Sequence, residues 1–224
     1  MRVQLEIACF NPESASIAAQ AGADRIELCD GIEVGGTTPD LGTTQKVLTQ
    51  VPIPVYVMVR PRGGDFVYTE AEFQQMKATV SELKKLQVHG MVFGILKKDD
   101  TLDEERNRLL VALAHPIPCT FHRAFDRVKH WEIALEQIID CGFSTILTSG
   151  TKANVVEGIN ILQAIQLQAG DRIAIMPGGG LRASNVRQIV HTTGVHFVHS
   201  SAITEGGTLA NPDEIIALKK ESNA

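Results

Sequence analysis

The sequence predicts a TIM-like (β/α)8 barrel of the α/β class, and three observations carry the prediction. Eight apolar runs of strand length alternate with eight amphipathic segments, the βα pattern of a parallel sheet. No GxGxxG turn follows any run, which counts against a doubly wound open sheet. Polar residues gather where the runs end, and barrels keep their sites at the C-terminal ends of their strands. At 224 residues the chain is shorter than the ~250 typical of the fold, so helices must be short and loops tight. The brevity of the first helix leaves open whether the helix ring is complete. No low-complexity linker divides the chain, so residues 1–224 are read as one domain.

Side chains along a strand alternate faces, which sorts each run in turn. In the first, 3–9, Val3, Leu5, Ile7 and Cys9 face the helices while Gln4, Glu6 and Ala8 point inward. A helix at 14–21 ends at Gly22, which can take the left-handed conformation that a helix end needs. The second run, 25–29, sends Ile26 and Leu28 outward and Arg25, Glu27 and Cys29 inward. The Gly-rich loop at 34–39 is read as ordinary loop geometry, with a lid or interface role as its alternative, and helix 42–50 follows. Run 55–60 puts Val55, Val57 and Val59 outward, and Tyr56, Met58 and Arg60 inward. Arg60-Pro61-Arg62-Gly63-Gly64-Asp65 then opens the loop before helix 70–86.

Run 91–96 and helix 102–114 complete the fourth unit. Run 119–122 turns Thr120 and His122 inward and leads into Arg123-Ala124-Phe125-Asp126. By parity Arg123 points outward unless the strand has already become loop, and Asp126 belongs to that loop. Helices 131–141 and 155–169 flank run 145–149, whose Thr148 is inward. Run 172–176 is followed by Gly178-Gly179-Gly180 and helix 183–192, and run 196–199 places His199 inward before Ser200 and Ser201. The last helix, 212–220, opens with Asn211 as its cap and Pro212 at its first position. Asp213 and Glu214 lie near its positive end, Lys219 and Lys220 near its negative one.

Composition excludes several function classes. The net charge is −5 and no basic stripe is present, so nucleic acid is not an expected partner. No apolar run reaches the roughly 18 residues of a membrane span, and Met1 to Glu6 does not open a signal peptide. A soluble, cytoplasmic protein is expected. The four cysteines contain no C-x-x-C pair, which argues against structural zinc and a disulfide framework. Cys119 and Cys141 are read as structural.

The inward set of Glu6, Glu27, Arg60, His122 and His199 is a charged ring. One reading is a structural ion-pair network in which Arg60 satisfies Glu6 and Glu27. The other is a pocket for acid–base chemistry on a small anion. On that reading Glu27 and His122 are the catalytic candidates together with Arg60. Arg60, Arg62 and Arg123 are planar donors for carboxylate or phosphate. Gly178, Gly179 and Gly180 sit where barrels bind phosphate, and His199 and Ser200 could complete the site. The ring has no lysine, so a Schiff-base nucleophile is lacking unless Lys97 or Lys152 folds in from a loop; Glu6, Glu27 and Asp126 are few carboxylates for a divalent metal, which remains possible through His122 and His199. Cys9 and Cys29 end neighbouring runs near one rim, and two thiolates suit Cu(I). Parity objects, placing Cys29 inward and Cys9 outward; they share an ion only if the first strand ends or bulges by Cys9.

Six motifs in order resemble the CutC copper homeostasis family. They are Ala23-Asp24-Arg25-Ile26-Glu27-Leu28-Cys29, Gly35-Gly36-Thr37-Thr38-Pro39 and Arg60-Pro61-Arg62-Gly63-Gly64-Asp65-Phe66. Thr120-Phe121-His122-Arg123-Ala124-Phe125-Asp126, Leu147-Thr148-Ser149-Gly150 and Met176-Pro177-Gly178-Gly179-Gly180 complete the set. The chain departs at Val128-Lys129-His130-Trp131, where members commonly have Asp-Pro, and at Ala21-Gly22, where Gly-Gly is usual. The resemblance implies a TIM-like barrel, a cytoplasmic location, homo-oligomerisation and a copper homeostasis role. It also implies Cu(I) bound by Cys9 and Cys29; no motif for an organic cofactor is evident in the sequence. Copper homeostasis is the function expected from the resemblance. A barrel enzyme acting on a small anionic substrate is the reading favoured by the residues alone.

Overall fold

The computed structural model describes residues 2–204 and 207–224. Eight parallel strands form one sheet: β1 (Gln4–Cys9), β2 (Arg25–Leu28), β3 (Val55–Met58), β4 (Gly90–Phe93), β5 (Cys119–Phe121), β6 (Thr145–Thr148), β7 (Ala174–Pro177) and β8 (Phe197–Ser200). Their order is β7-β6-β5-β4-β3-β2-β1-β8, and β7 lies beside β8, so the sheet curls into a nearly closed barrel. Around it run α1 (Pro12–Gln20), α2 (Leu41–Gln50), α3 (Glu70–Lys85), α4 (Glu104–Ala114), α5 (Trp131–Cys141), α6 (Ile159–Ala169), α7 (Val186–Thr193) and α8 (Pro212–Glu221). Every strand is followed by a helix, so the ring is complete despite the nine residues of α1. None of the described helices is long and apolar enough to cross a membrane.

Local chemistry places the helix ends. Thr69 and Glu72 form a reciprocal capping box at α3, and Asn211 accepts from the amides of Asp213 and Glu214 at α8. Helix α6 starts at Ile159, four residues later than the periodicity suggests. Gly158 passes so close to Ser149 that a Cβ there would lie 1.8 Å from its carbonyl oxygen. Only after this crossing can the backbone wind into a helix.

The main core lies between sheet and helices. It takes Leu5, Ile7, Ile26, Leu28, Val55 and Val57 from the outward faces of β1, β2 and β3, as period-two alternation requires. A small interior cluster of Cys29, Met58 and Val92 is packed by Phe10 and Tyr56. Two strands stop two or more residues short of their apolar runs. β3 ends at Met58 because the Arg60 amide turns to Thr38 Oγ1, and β4 ends at Phe93 because the Ile95 amide is taken by Asn107. These early exits build the loops that form the mouth.

Candidate functional site

A cavity of about 210 Å³ opens at the C-terminal end of the barrel. Strand register decides what lies on its floor. Glu6 pairs with Arg25 across β1 and β2, and with His199 across β1 and β8. All three side chains face inward, so they meet. Arg25 Nε donates to Glu6 Oε2, and His199 Nδ1 lies 2.8 Å from Glu6 Oε1. His199 Nε2 is 3.8 Å from Glu27 Oε2, and the same oxygen accepts from Cys29 Sγ at 3.6 Å. The Arg25 guanidinium also lies 4.0 Å from the Tyr56 ring centre.

These neighbours shift the proton affinities. Burial alone would raise Glu6, but the charge of Arg25, helped by His199, holds it below the usual carboxylate range. Burial pushes Glu27 up to about 7; Glu6 adds to the rise and His199 opposes it. For His199, burial acts downward, and the carboxylates of Glu27 and Glu6 outweigh it to raise the imidazole.

The expected pairing of Arg60 with Glu6 and Glu27 is corrected by the structure. Arg25 is the partner of Glu6. Arg60 lies two residues beyond the end of β3, so its side chain reaches the loops. Its Nη1 donates to the carbonyls of Val34 and Gly36, its Nη2 to that of Gly64, and its guanidinium sits 4.9 Å from the Phe66 ring centre. Arg60 remains in the cavity wall as a clamp on two loops.

His122 caps a short 3-10 helix, Arg123–Arg127, and its Nδ1 accepts from the Ala124 amide at 3.3 Å. Burial first, and the Arg60 charge second, push this imidazole down to about 3. The ring is therefore neutral at physiological pH, and an accepting Nδ1 leaves its proton on Nε2. Nε2 is buried without a partner among the described residues. His122 thus holds a buried, unused hydrogen-bond donor in the wall of the cavity. Gly94 makes the room, since a Cβ there would stand 2.8 Å from His122 Nδ1.

The same 3-10 helix resolves the direction of Arg123. The strand has ended, and the side chain turns into the cavity wall. Arg123 Nε donates to Asp126 Oδ2 at 2.7 Å and Nη2 to Ser149 Oγ at 2.9 Å. Asp126 also accepts from Thr148 Oγ1 and from the amides of Ser149 and Thr151, so it ties this helix to the loop after β6. Gly179, at φ +102°, lies under the guanidinium; a Cβ would be 2.9 Å from Arg123 Cζ.

Of the other candidates, Gly180, His199 and Ser200 line the cavity, whereas Gly178 and Arg62 do not. Gly178 is needed for packing, since a Cβ would strike Leu147 at 2.5 Å. Arg62 is engaged by Glu72 at 2.6 Å, by Asp65 at 3.0 Å and by loop carbonyls, which hold it over α3. Arg182 lines the cavity and was not foreseen; it donates to Ser200 Oγ and the Ile203 carbonyl. Its position two residues past the Gly178–Gly180 run was the available signal. Asp126 was foreseen only as a loop residue, and Arg25 as inward without a role.

The CutC family model matches residues 3–204. The chain belongs to the CutC family. A copper homeostasis protein cutC homolog of Homo sapiens is 44% identical over 198 residues, covering 88% of this chain and 72% of the relative. A CutC of Parabacteroides distasonis is 46% identical over 197 residues, covering 87% and 81%. The crystal structure of a CutC from Streptococcus agalactiae superposes with a TM-score of 0.85 at 33% identity, covering 89% of this chain and 98% of that one. Phosphoribosyl anthranilate isomerase of Thermotoga maritima, at 16% identity and a TM-score of 0.64 with 98% of both chains covered, shares the fold.

Copper in a CutC protein asks for soft donors, and here the thiols divide between two environments. Cys9 is packed in the helix-facing core and donates to the Ile7 carbonyl at 3.6 Å. β1 runs regularly through Cys9 with no bulge, so parity holds and this thiol faces away from the cavity. Cys29 lines the cavity beside Glu27. Burial first, and the Glu27 charge second, raise both thiols well above their usual range. The two cysteines are neighbours, the Cys29 amide donating to the Cys9 carbonyl, with Cys9 in the helix-facing core and Cys29 in the cavity wall. A separate group of metal-ligating types, Glu6, Glu27 and His199, has donor atoms within 4.8 Å of one another; Arg25 already occupies one Glu6 oxygen.

Proposed function

We propose that this CutC-family protein binds a small anionic molecule at the mouth of its barrel and moves a proton on it, with Glu27 as the proton-transfer group. One observation carries the reading: Glu27 Oε1 and His122 Nε2 are both buried without partners and both residues line the same cavity. Leaving such an atom unsatisfied costs about 1–3 kcal/mol, and a ligand supplying an acceptor to one and a donor to the other would recover it. Arg123 and Arg182 give the cavity its anion preference. Titration calorimetry with inorganic phosphate and with short carboxylates tests the reading. Millimolar or tighter binding, weakened about tenfold in Arg123→Ala, is expected; no heat with any of these anions would end it.

A second reading is favoured by the family's copper role and by Cys29 lining the cavity next to Glu27. On this reading Cu(I) is held through Cys29 and Cys9, with Cys9 turning from the helix layer to reach it. Competition against a Cu(I) chelator is the check, with stoichiometric binding removed by Cys9→Ser and by Cys29→Ser. Retention of copper by both variants would sink it. A cytoplasmic, self-associating protein belongs to either reading, and light scattering of the purified chain tests the second attribute.

A further inference from the structure

We infer that the ligand is a small carbonyl compound carrying an anionic group, and that the site enolises it: Glu27 takes a proton from the carbon beside the carbonyl while His122 Nε2–H holds the carbonyl oxygen. The inference rests on the proposed anion-binding function and narrows it to a substrate class and a reaction.

The argument is one of complementary valences. Because His122 Nδ1 accepts the Ala124 amide, Nε2 can only donate. What it meets must therefore be an acceptor oxygen. Glu27 is the converse: Oε2 is engaged by Cys29 and near His199, while Oε1 is free to accept. A carbonyl next to a C–H carbon is the smallest unit that presents an acceptor and a removable proton side by side. A neutral imidazole donor facing a carboxylate base is a recognised way of stabilising an enolate in a closed site.

The rest of the cavity fits such a molecule. Arg123 Nη1 makes no hydrogen bond among the described residues, and its side chain is 41% exposed, so it can receive an anion at the rim. Gly179 brings backbone against the guanidinium, and Gly180 lines the same cavity next to it. Phe66, its ring centre 4.7 Å from that of His122, adds apolar surface to the cavity wall beside it. At about 210 Å³ the cavity lies below the ~300–1,000 Å³ of drug-sized sites, so the ligand has few carbons.

The step balances without an oxidant or a reductant. The C–H bond breaks, and its proton goes to Glu27, which becomes the carboxylic acid. Its electron pair forms the carbon–carbon π bond. The carbonyl π pair moves onto oxygen, where the His122 N–H stabilises it. Returning the proton to the same carbon gives exchange or epimerisation, and returning it to the neighbouring carbon gives isomerisation.

The test compares two probes by calorimetry on the intact protein. Glycerol 3-phosphate carries the anion without a carbonyl, and phosphoglycolohydroxamate mimics the enediolate. The mimic is expected to bind at least about 100-fold tighter. That advantage should vanish in Glu27→Gln and His122→Phe, and survive in part in His122→Gln, which keeps a donor. Glycerol 3-phosphate, whose hydroxyls can meet Glu27 and His122 but carry no enolate charge, should lose no more than about threefold in affinity in any of the three. Thermal melts identify any variant that has failed to fold, and the wild-type comparison stands without the variants. Equal affinity of wild type for the two probes would overturn enolisation and leave the anion site standing. Binding of neither probe would overturn both.

Discussion

Along β1, β2 and β8 the polar side chains of the barrel interior satisfy one another, whereas those at the ends of β3 and β5 leave atoms free. Glu6, Arg25 and His199 close on each other through ladder register. His122 Nε2 and Arg60 Nε, built into loops past their strands, have no partner among the described residues. Glu27 belongs to both regions, with one oxygen in the closed network and the other buried without a partner among the described residues. The difference separates two tasks: the ladder fixes charge and proton affinity, and the loops present the free valences that a ligand can use.

The largest effect should come from breaking the closed side. Glu6→Gln leaves the Arg25 guanidinium buried without a counter-charge, and about 3–5 kcal/mol should be lost in urea denaturation. A loss under 1 kcal/mol would mean that Arg25 finds water or another carboxylate. On the open side, Asp126→Ala removes the acceptor of Arg123, Thr148 and the Ser149 and Thr151 amides. About 2–3 kcal/mol should go, along with phosphate binding, since Arg123 would lose its anchor. Unchanged phosphate affinity in Asp126→Ala would show that Arg123 positions itself.

Glu27 gives a pH test at the boundary. Its folded-state value, pushed up by burial to about 7 from an ordinary 4.5, means that the folded state holds a proton that the unfolded chain has released. Its contribution is therefore fully present at low pH and lost as pH rises from about 4.5 through 7. Glu27→Gln lacks this loss, so its stability relative to wild type should climb across that window. A flat difference between the two curves would show that Glu27 titrates normally. The smallest effect is expected at Arg62, whose ion pairs are part-exposed and outside the cavity. Arg62→Ala should cost about 0–1 kcal/mol and leave phosphate binding untouched.

How much was legible follows from the range of the forces involved. Strand and helix alternation, helix caps and inward or outward parity depend on residues a few positions apart. They could be read directly: Glu6, Glu27, Cys29, His122 and His199 face the interior, and Cys9 faces the helices. Partner choice depends on register between strands about twenty or more residues apart. That is why Arg25, and not Arg60, holds Glu6.

Side-chain direction after a strand depends on how the backbone leaves the sheet. Arg123 enters the cavity because a 3-10 helix begins at once, and Asp126 becomes a hub because that helix lands on the loop after β6. Arg182 arrives from a loop whose path no periodicity records. For His122 the sequence by itself determined that an imidazole faces the barrel interior. Only the tertiary structure decided, by setting an amide against Nδ1, that it does so as a donor.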